Sequence, residues 1–221
     1  MSAVVAAVCV VGALHPDAGT AGVTAIDKRP VDGPVRVGRF GLRGDVQADR
    51  KHHGGEDKAL YAVDAAEIAW WSAQLGAELA PGAFGENLRV AGLPVDDALL
   101  GERWRIGDIE VEVTGPRSPC ATFGRWLGQD GWVRRYTERG RPGVYLRVVR
   151  GGEVRAGDQV TVLDRPTHGV SVARWFGAEH PEDARAVLVH ARSGEWEPAD
   201  YLRAGLETAA GRAPEPSGSD R

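Results

Sequence analysis

Pro116-Arg117-Ser118-Pro119-Cys120 carries a thiol on a turn, with a guanidinium three residues before it. Two prolines fix φ near −65° and cannot continue a strand ladder, so the segment ends a strand and projects Cys120. A cation nearby favours the thiolate, the form that attacks electrophiles and binds soft metals. Taken alone, the motif admits two readings: a reactive or ligating thiol, or a strand-ending turn with an inert, buried cysteine. Three other segments offer chemistry. His53-Gly54-Gly55 sets an imidazole beside backbone that can approach an anion closely; a glycine turn next to a surface histidine is the plain alternative. Pro81 to Leu88 holds Glu86 and Asn87, and the Asn87 amide has donors and an acceptor for a heterocycle edge, or is simply part of a turn. Ile26-Asp27-Lys28-Arg29-Pro30 presents two cations before a proline; Arg29 reads as solvated, and Lys28 stays open.

These groups need a scaffold of short strands. Ala3 to Leu14 is apolar and rich in valine, which reads as a buried first strand with Cys9 in packing. Arg103–Ile106 and Ile109–Val113 flank Gly107-Asp108, a hairpin signal. Val144–Val149 and Gln159–Leu163 read as a second pair, joined through Gly151-Gly152. Many short strands at close spacing favour a barrel or sandwich. A helix is expected from Asp64, with Glu67 completing a capping box, Ile68, Trp71 and Leu75 on one face, and Gly76 as its stop. A second is expected from Asp130, as N-cap, to Arg139, with Gly140 after it. Beyond Arg165-Pro166 come three short helices, over 170–176, 181–192 and 198–208, with Trp175, Phe176, Leu188, Trp196, Tyr201 and Leu202 packed inside. The expected division is a barrel domain over residues 1–166, a three-helix appendage over 167–208 and a disordered tail over 209–221.

The chain has 221 residues and a formal net charge of −4, with no basic excess to argue for a nucleic-acid polymer or an anionic membrane. Two cysteines make no disulfide framework and fit a reducing cytoplasm. The apolar N-terminus lacks a charged leader region and is too short to span a bilayer. Motifs for serine hydrolases, zincins, dinucleotides and P-loops do not occur.

Taken in order, A-I-D-K-R-P-V-D-G, G-L-R-G-D-V-Q-A-D, H-G-G-E-D-K-A, F-G-E-N-L and P-R-S-P-C, followed by G-V-Y-L-R-V-V and A-G-D-Q-V, resemble the MOSC family (molybdenum-cofactor sulfurase C-terminal domain) and its YiiM-like group. The resemblance covers most of residues 20–165, and residues 168–208 resemble that group's appendage. It implies a mainly β, MOSC-type β-barrel that binds the molybdenum cofactor (molybdopterin). Cys120 matches the expected molybdenum ligand and, with His53, the catalytic positions. Lys28, Gly54, Gly55, Asn87 and Arg117 match the cofactor cleft. The implied activity is reduction of N-hydroxylated bases such as 6-N-hydroxylaminopurine, in the cytoplasm, fed by a separate electron-donor protein; a homodimer is compatible with it. The alternatives are a sulfur carrier using a Cys120 persulfide and a non-catalytic cofactor carrier. Pyridoxal phosphate binding would need a Schiff-base lysine, and Lys28, Lys51 and Lys58 are candidates. Ala121-Thr122-Phe123 departs from the family, which often has an aromatic and a basic residue after the cysteine.

Overall fold

The structure, a computed structural model, describes residues 2–49, 54–194 and 196–212. His53, Lys51 and most of the expected tail lie outside the described residues.

The apolar N-terminal run forms β1 (Val4–Val11), and Cys9 on it is fully buried. A small hairpin follows, β2 (His15–Pro16) with β3 (Val23–Thr24). Next come β4 (Lys28–Pro30), β5 (Val35–Gly38), β6 (Gly41–Leu42) and β7 (Leu60–Asp64). Helix α1 (Ala65–Leu75) carries the chain to β8 (Leu88–Ala91), which lies parallel to β7. Strands β9 (Arg103–Ile106) and β10 (Ile109–Pro116) form the expected hairpin, with Ile106 opposite Ile109. After β10 come α2 (Ala121–Leu127) and α3 (Trp132–Arg139). Strands β11 (Val144–Arg150), β12 (Gly152–Val154) and β13 (Val160–Asp164) end the β-rich part. The chain finishes with α4 (Val172–Gly177), α5 (Pro181–Ala191) and α6 (Asp200–Ala210).

The expected barrel does not close. Eight strands form one mixed sheet in the order β13-β9-β10-β11-β7-β8-β1-β4, and its edges β13 and β4 are not paired. The sheet curls instead. Val5 N–H donates to Asp158 O and Val160 N–H to Ala3 O, both at 2.9 Å, so the start of β1 meets the approach to β13 without a regular ladder. The second expected strand pair is also different. Strand β11 lies between β10 and β7, β13 pairs with β9, and β12 pairs with β5 in a separate three-stranded sheet. Glycine turns mark where strands end, but partners are chosen by burial far along the chain.

Helix α1 begins and ends as its sequence dictates: the Asp64 carboxylate accepts from Ala66 N–H at 2.8 Å, and Gly76 closes it. Glu67 does not complete the capping box. Its carboxylate takes two hydrogen bonds from Arg139 at 2.8 and 2.7 Å, tying α1 to α3. Helix α3 starts after Gly131, not at Asp130, and ends at Gly140. Helix α2 has no counterpart in the sequence expectations: Ala-Thr-Phe-Gly-Arg-Trp-Leu offers no side-chain cap, and Cys120 stands at its N-cap without a cap bond.

Two cores support the site. The larger runs from Val5 and Val8 through the central strands into Trp175, Ala184, Leu202 and Leu206, so α4–α6 share the apolar interior of the sheet. The smaller gathers Trp71, Phe84, Phe123, Trp132 and Tyr136 between α1, α2 and α3. Edge-to-face contacts such as Phe84–Phe123 at 5.0 Å and Phe123–Trp132 at 5.2 Å fix the base of α2, and with it the backbone leaving Cys120.

Candidate functional site

A cleft of about 680 Å³ opens where β4, β7, β11 and the segments after β10 and before β8 come together. That volume suits a small organic ligand. Lys28, Asp45, Lys58, Tyr61, Asn87, Arg117, Cys120 and Tyr145 line it, together with the 17–24 turn.

Asp45 organises its floor. One carboxylate oxygen accepts from Val11 N–H at 2.9 Å; the other accepts from the Lys28 ammonium and from Asn87 Nδ2, the latter at 2.7 Å. Asn87 also donates to Cys9 O at 3.3 Å and accepts from Tyr61 N–H at 3.1 Å. The amide expected to read a ligand edge is therefore spent on the protein, binding β1 to β7. Burial lowers the Lys28 pKa, and the Asp45 charge works against that shift. The turn that carries Asn87 is bound to β4 by contact: a Cβ on Gly82, where φ is +91°, would stand 2.0 Å from Lys28 O. Glu86, fully buried, accepts from Gly82 and Phe84 N–H at 2.8 and 2.9 Å and from Arg89, so its role is to hold this turn.

Arg117 stands on one wall. It is 6% exposed, with its guanidinium carbon 4.1 Å from the Phe123 ring centre and 5.2 Å from that of Tyr61. Its Nη1 is buried and has no hydrogen-bond partner among the described residues. The neighbours whose charge would reach it most are the Tyr61, Tyr145 and Tyr136 phenols and the Cys120 thiol. Burial drives the Tyr61 phenol well above its ordinary pKa, so it stays neutral. Cys120 is partly exposed at the cleft wall, while Cys9, pushed up to about 12 by burial, is an inert thiol beneath the floor.

The β2–β3 hairpin and the turn between its strands form a strap along the cleft. The Asp17 carboxylate accepts from Thr122 Oγ1 at 2.8 Å and from Arg125 Nε and Nη2 at 2.9 and 2.7 Å, so the strap is latched to α2 just beyond Cys120. Those bonds hold its carboxyl far below the usual carboxylate range. Two residues that depart from the family pattern are thus in use: Thr122 in the latch, and Phe123 beneath Arg117.

Of the residues expected from sequence, Lys28, Asn87, Arg117 and Cys120 come together here. Neither Gly54 nor Gly55 lines the cleft, and the Gly55 N–H donates to Gln47 Oε1 at 2.8 Å; His53 lies outside the described residues. Asp45, Tyr61, Tyr145 and the Asp17 latch were missed as functional groups. Asp45 sits inside a quoted motif, which was a usable signal. The tyrosines read only as strand residues.

Among the described residues, no three His, Cys, Asp or Glu side chains gather to hold a metal. A metal at Cys120 must bring its other ligands with it, as a metal–pterin group does. The donor set suits such a group: one thiol, one buried guanidinium with an unmatched N–H, and two tyrosine faces. None of the described helices is long and apolar enough to cross a membrane.

The MOSC domain family profile matches residues 49–161. The chain is 37% identical over 149 residues to the uncharacterized protein YflK of Bacillus subtilis (strain 168), covering 67% of each. It is 34% identical over 146 residues to protein YiiM of Escherichia coli (strain K12), covering 64% of this chain and 65% of that one. A protein named reductase from Gibberella moniliformis (strain M3125 / FGSC 7600) is 31% identical over 147 residues, which make up 65% of this chain and 26% of that protein. Among solved structures, YiiM from Geobacillus stearothermophilus superposes with a TM-score of 0.73 at 25% identity, covering 94% of this chain and 98% of the other.

Proposed function

The chain belongs to the MOSC domain family, and from that premise we propose that its cleft binds the molybdenum cofactor and that the protein reduces N-hydroxylated compounds. The observation that carries this reading is that Cys120 and Arg117, whose buried Nη1 lacks a partner among the described residues, line the same ligand-sized cleft. A buried cation is costly unless something anionic completes it.

In this reading the bound group supplies two-electron oxygen-atom chemistry at molybdenum. The chain does the rest. Cys120 Sγ ligates the metal as thiolate, and Arg117 Nη1 donates to an anionic edge of the ligand. Tyr61 and Tyr145 offer flat faces to a heterocycle, and the strap over residues 17–24 limits water. Lys28 Nζ, its proton loosened by burial and held by Asp45, is the proton store at the floor. The overall reaction breaks the substrate N–O bond, takes up two electrons and two protons, and releases the amine and water. The electrons come from a separate donor protein, in the cytoplasm. The relative named reductase supports the redox reading, and its greater length leaves room for functions that this chain would obtain from a partner.

Protein expressed in a host that makes the cofactor is expected to carry molybdenum near one per chain, and Cys120→Ala to lose it. Molybdenum in neither protein, together with a transferable sulfur on Cys120 by intact mass, would replace this reading with sulfur carriage.

A further inference from the structure

We propose that Asp96, buried behind the cleft, is a positioning residue for Tyr61: its carboxylate holds and polarises the Pro142–Gly143 peptide, whose carbonyl fixes the Tyr61 hydroxyl and with it the ring that faces the ligand. That Tyr61 faces a ligand rests on the cofactor reading above; the hold on its ring does not.

Asp96 lies in the short 3-10 turn Val95–Asp97 and is 1% exposed. Its Oδ1 accepts from Gly143 N–H at 2.7 Å. The carbonyl of that same peptide unit, Pro142 O, accepts from Tyr61 O–H at 3.0 Å and from Tyr136 O–H at 2.9 Å. One peptide plane thus joins the carboxylate to both phenols. Its approach to the ring needs Gly143: φ there is +68°, and a Cβ would come within 2.8 Å of Tyr61 Cε2 and 2.6 Å of Ala62 O. The Tyr61 ring lines the cleft, with the Arg117 guanidinium carbon 5.2 Å and the Tyr145 ring centre 5.7 Å from its own centre.

A peptide that donates to a carboxylate becomes a stronger acceptor at its carbonyl, because linked hydrogen bonds polarise one another. Loss of the Asp96 charge therefore loosens both phenols at once. Burial pushes the Asp96 carboxyl up to about 6; Gly143 N–H and the Arg141 charge oppose that shift, and Glu67 and Asp64 add to it. The charged groups facing Asp96 are Asp64 at the end of β7, Glu67 on α1, Arg139 at the end of α3 and Arg141 just beyond. The two arginines are bonded elsewhere, Arg139 to Glu67 and Arg141 to Asp97. Helix α4 also packs on this turn, but its Arg174 is bonded to Asp183. Burial raises the Tyr61 and Tyr136 phenols above their ordinary pKa, so both stay neutral. Near pH 6 the group that changes charge at this peptide is Asp96.

The test uses full-length protein without ligand, labelled with 3-fluorotyrosine and followed by fluorine-19 NMR between pH 8 and 5. The chain has four tyrosines, and their signals are assigned with Tyr61→Phe, Tyr136→Phe, Tyr145→Phe and Tyr201→Phe. In the wild type the Tyr61 and Tyr136 signals should step together at about pH 6, while that of Tyr201, which does not touch this peptide, stays in place. Asp96→Asn can still accept from Gly143 but is neutral throughout; it should hold both signals near the wild type's acid position and abolish the step. Asp96→Ala cannot accept, and should displace both signals beyond that position at every pH. Glu67→Gln should keep the step. No step in the wild type, a step shared by Tyr201, a step that survives in Asp96→Asn, or a step lost in Glu67→Gln would each overturn the positioning role. So would Asp96→Ala signals that match the wild type. None of these signals depends on molybdenum, so this role and the cofactor reading fail separately.

Discussion

A guanidinium kept from water is retained in a fold only at a cost in stability. Arg117 is in that position, with two aromatic rings for company and one N–H unanswered. Substituting it with an apolar side chain of similar length should relieve the cost and remove the function together. Arg117→Met is therefore expected to melt at or above the wild-type temperature while retaining less than a tenth of the wild-type molybdenum, an estimate of about tenfold for a lost charge-assisted bond. A variant that melts lower and keeps its metal would mean that Arg117 is structural. Lys28 and Asn87 show the converse at this scale: residue types suited to ligands, but engaged by Asp45.

At the scale of the element, the strap matters most. Its strands are two residues long, and its turn is latched to α2 through the single carboxylate of Asp17. An element with so few bonds of its own opens readily once a latch is lost. Asp17→Ala should raise amide exchange across residues 18–22 about tenfold relative to the wild type, with exchange in β10 and β11 unchanged. Unchanged exchange in the turn would show that the Asp17 bonds do not hold it. Because the Asp17 carboxyl titrates far below the usual range, the latch contributes fully above the unfolded value near 4 and is lost only in stronger acid.

Across the whole molecule, one polar tie between the segment after residue 165 and the turn before β9 is His168. Its Nδ1 accepts from Val170 N–H at 3.0 Å and its Nε2 donates to Leu100 O at 2.9 Å, an arrangement that requires the neutral ring. Burial lowers its pKa; the neighbouring His190 adds to that shift, and Leu100 O and Asp183 oppose it. Trp196 packs beside both rings. With the folded pKa below the unfolded value of about 6.5, the neutral form's contribution is complete above that pH. It falls as pH drops below 6.5, because the unfolded chain then takes up the proton more readily. The melting temperature should decline between pH 7 and 5.5, and less steeply in His168→Gln. Equal slopes in the two proteins would place the acid sensitivity elsewhere.

Much was decided along the chain itself. The start of α1 at Asp64, the Gly76 and Gly140 stops, the β9–β10 hairpin and the burial of Cys9 follow from local rules that neighbouring residues can enforce alone. The turn presenting Cys120 was legible for the same reason, since proline acts on its own backbone. Tertiary structure decided what depends on distant partners. Strand β11 lies between β10 and β7 and not beside β13, where its Val144–Leu146 end is buried. The sheet curls without closing, because the approach to β13 meets β1 through isolated bonds. Which polar groups remain for a ligand is likewise a tertiary fact: Asp45 claims Lys28 and Asn87 from 17 and 42 residues away, while Arg117 keeps an unmatched N–H. A side chain's chemistry is local, but its availability depends on every group that folding brings within hydrogen-bond reach.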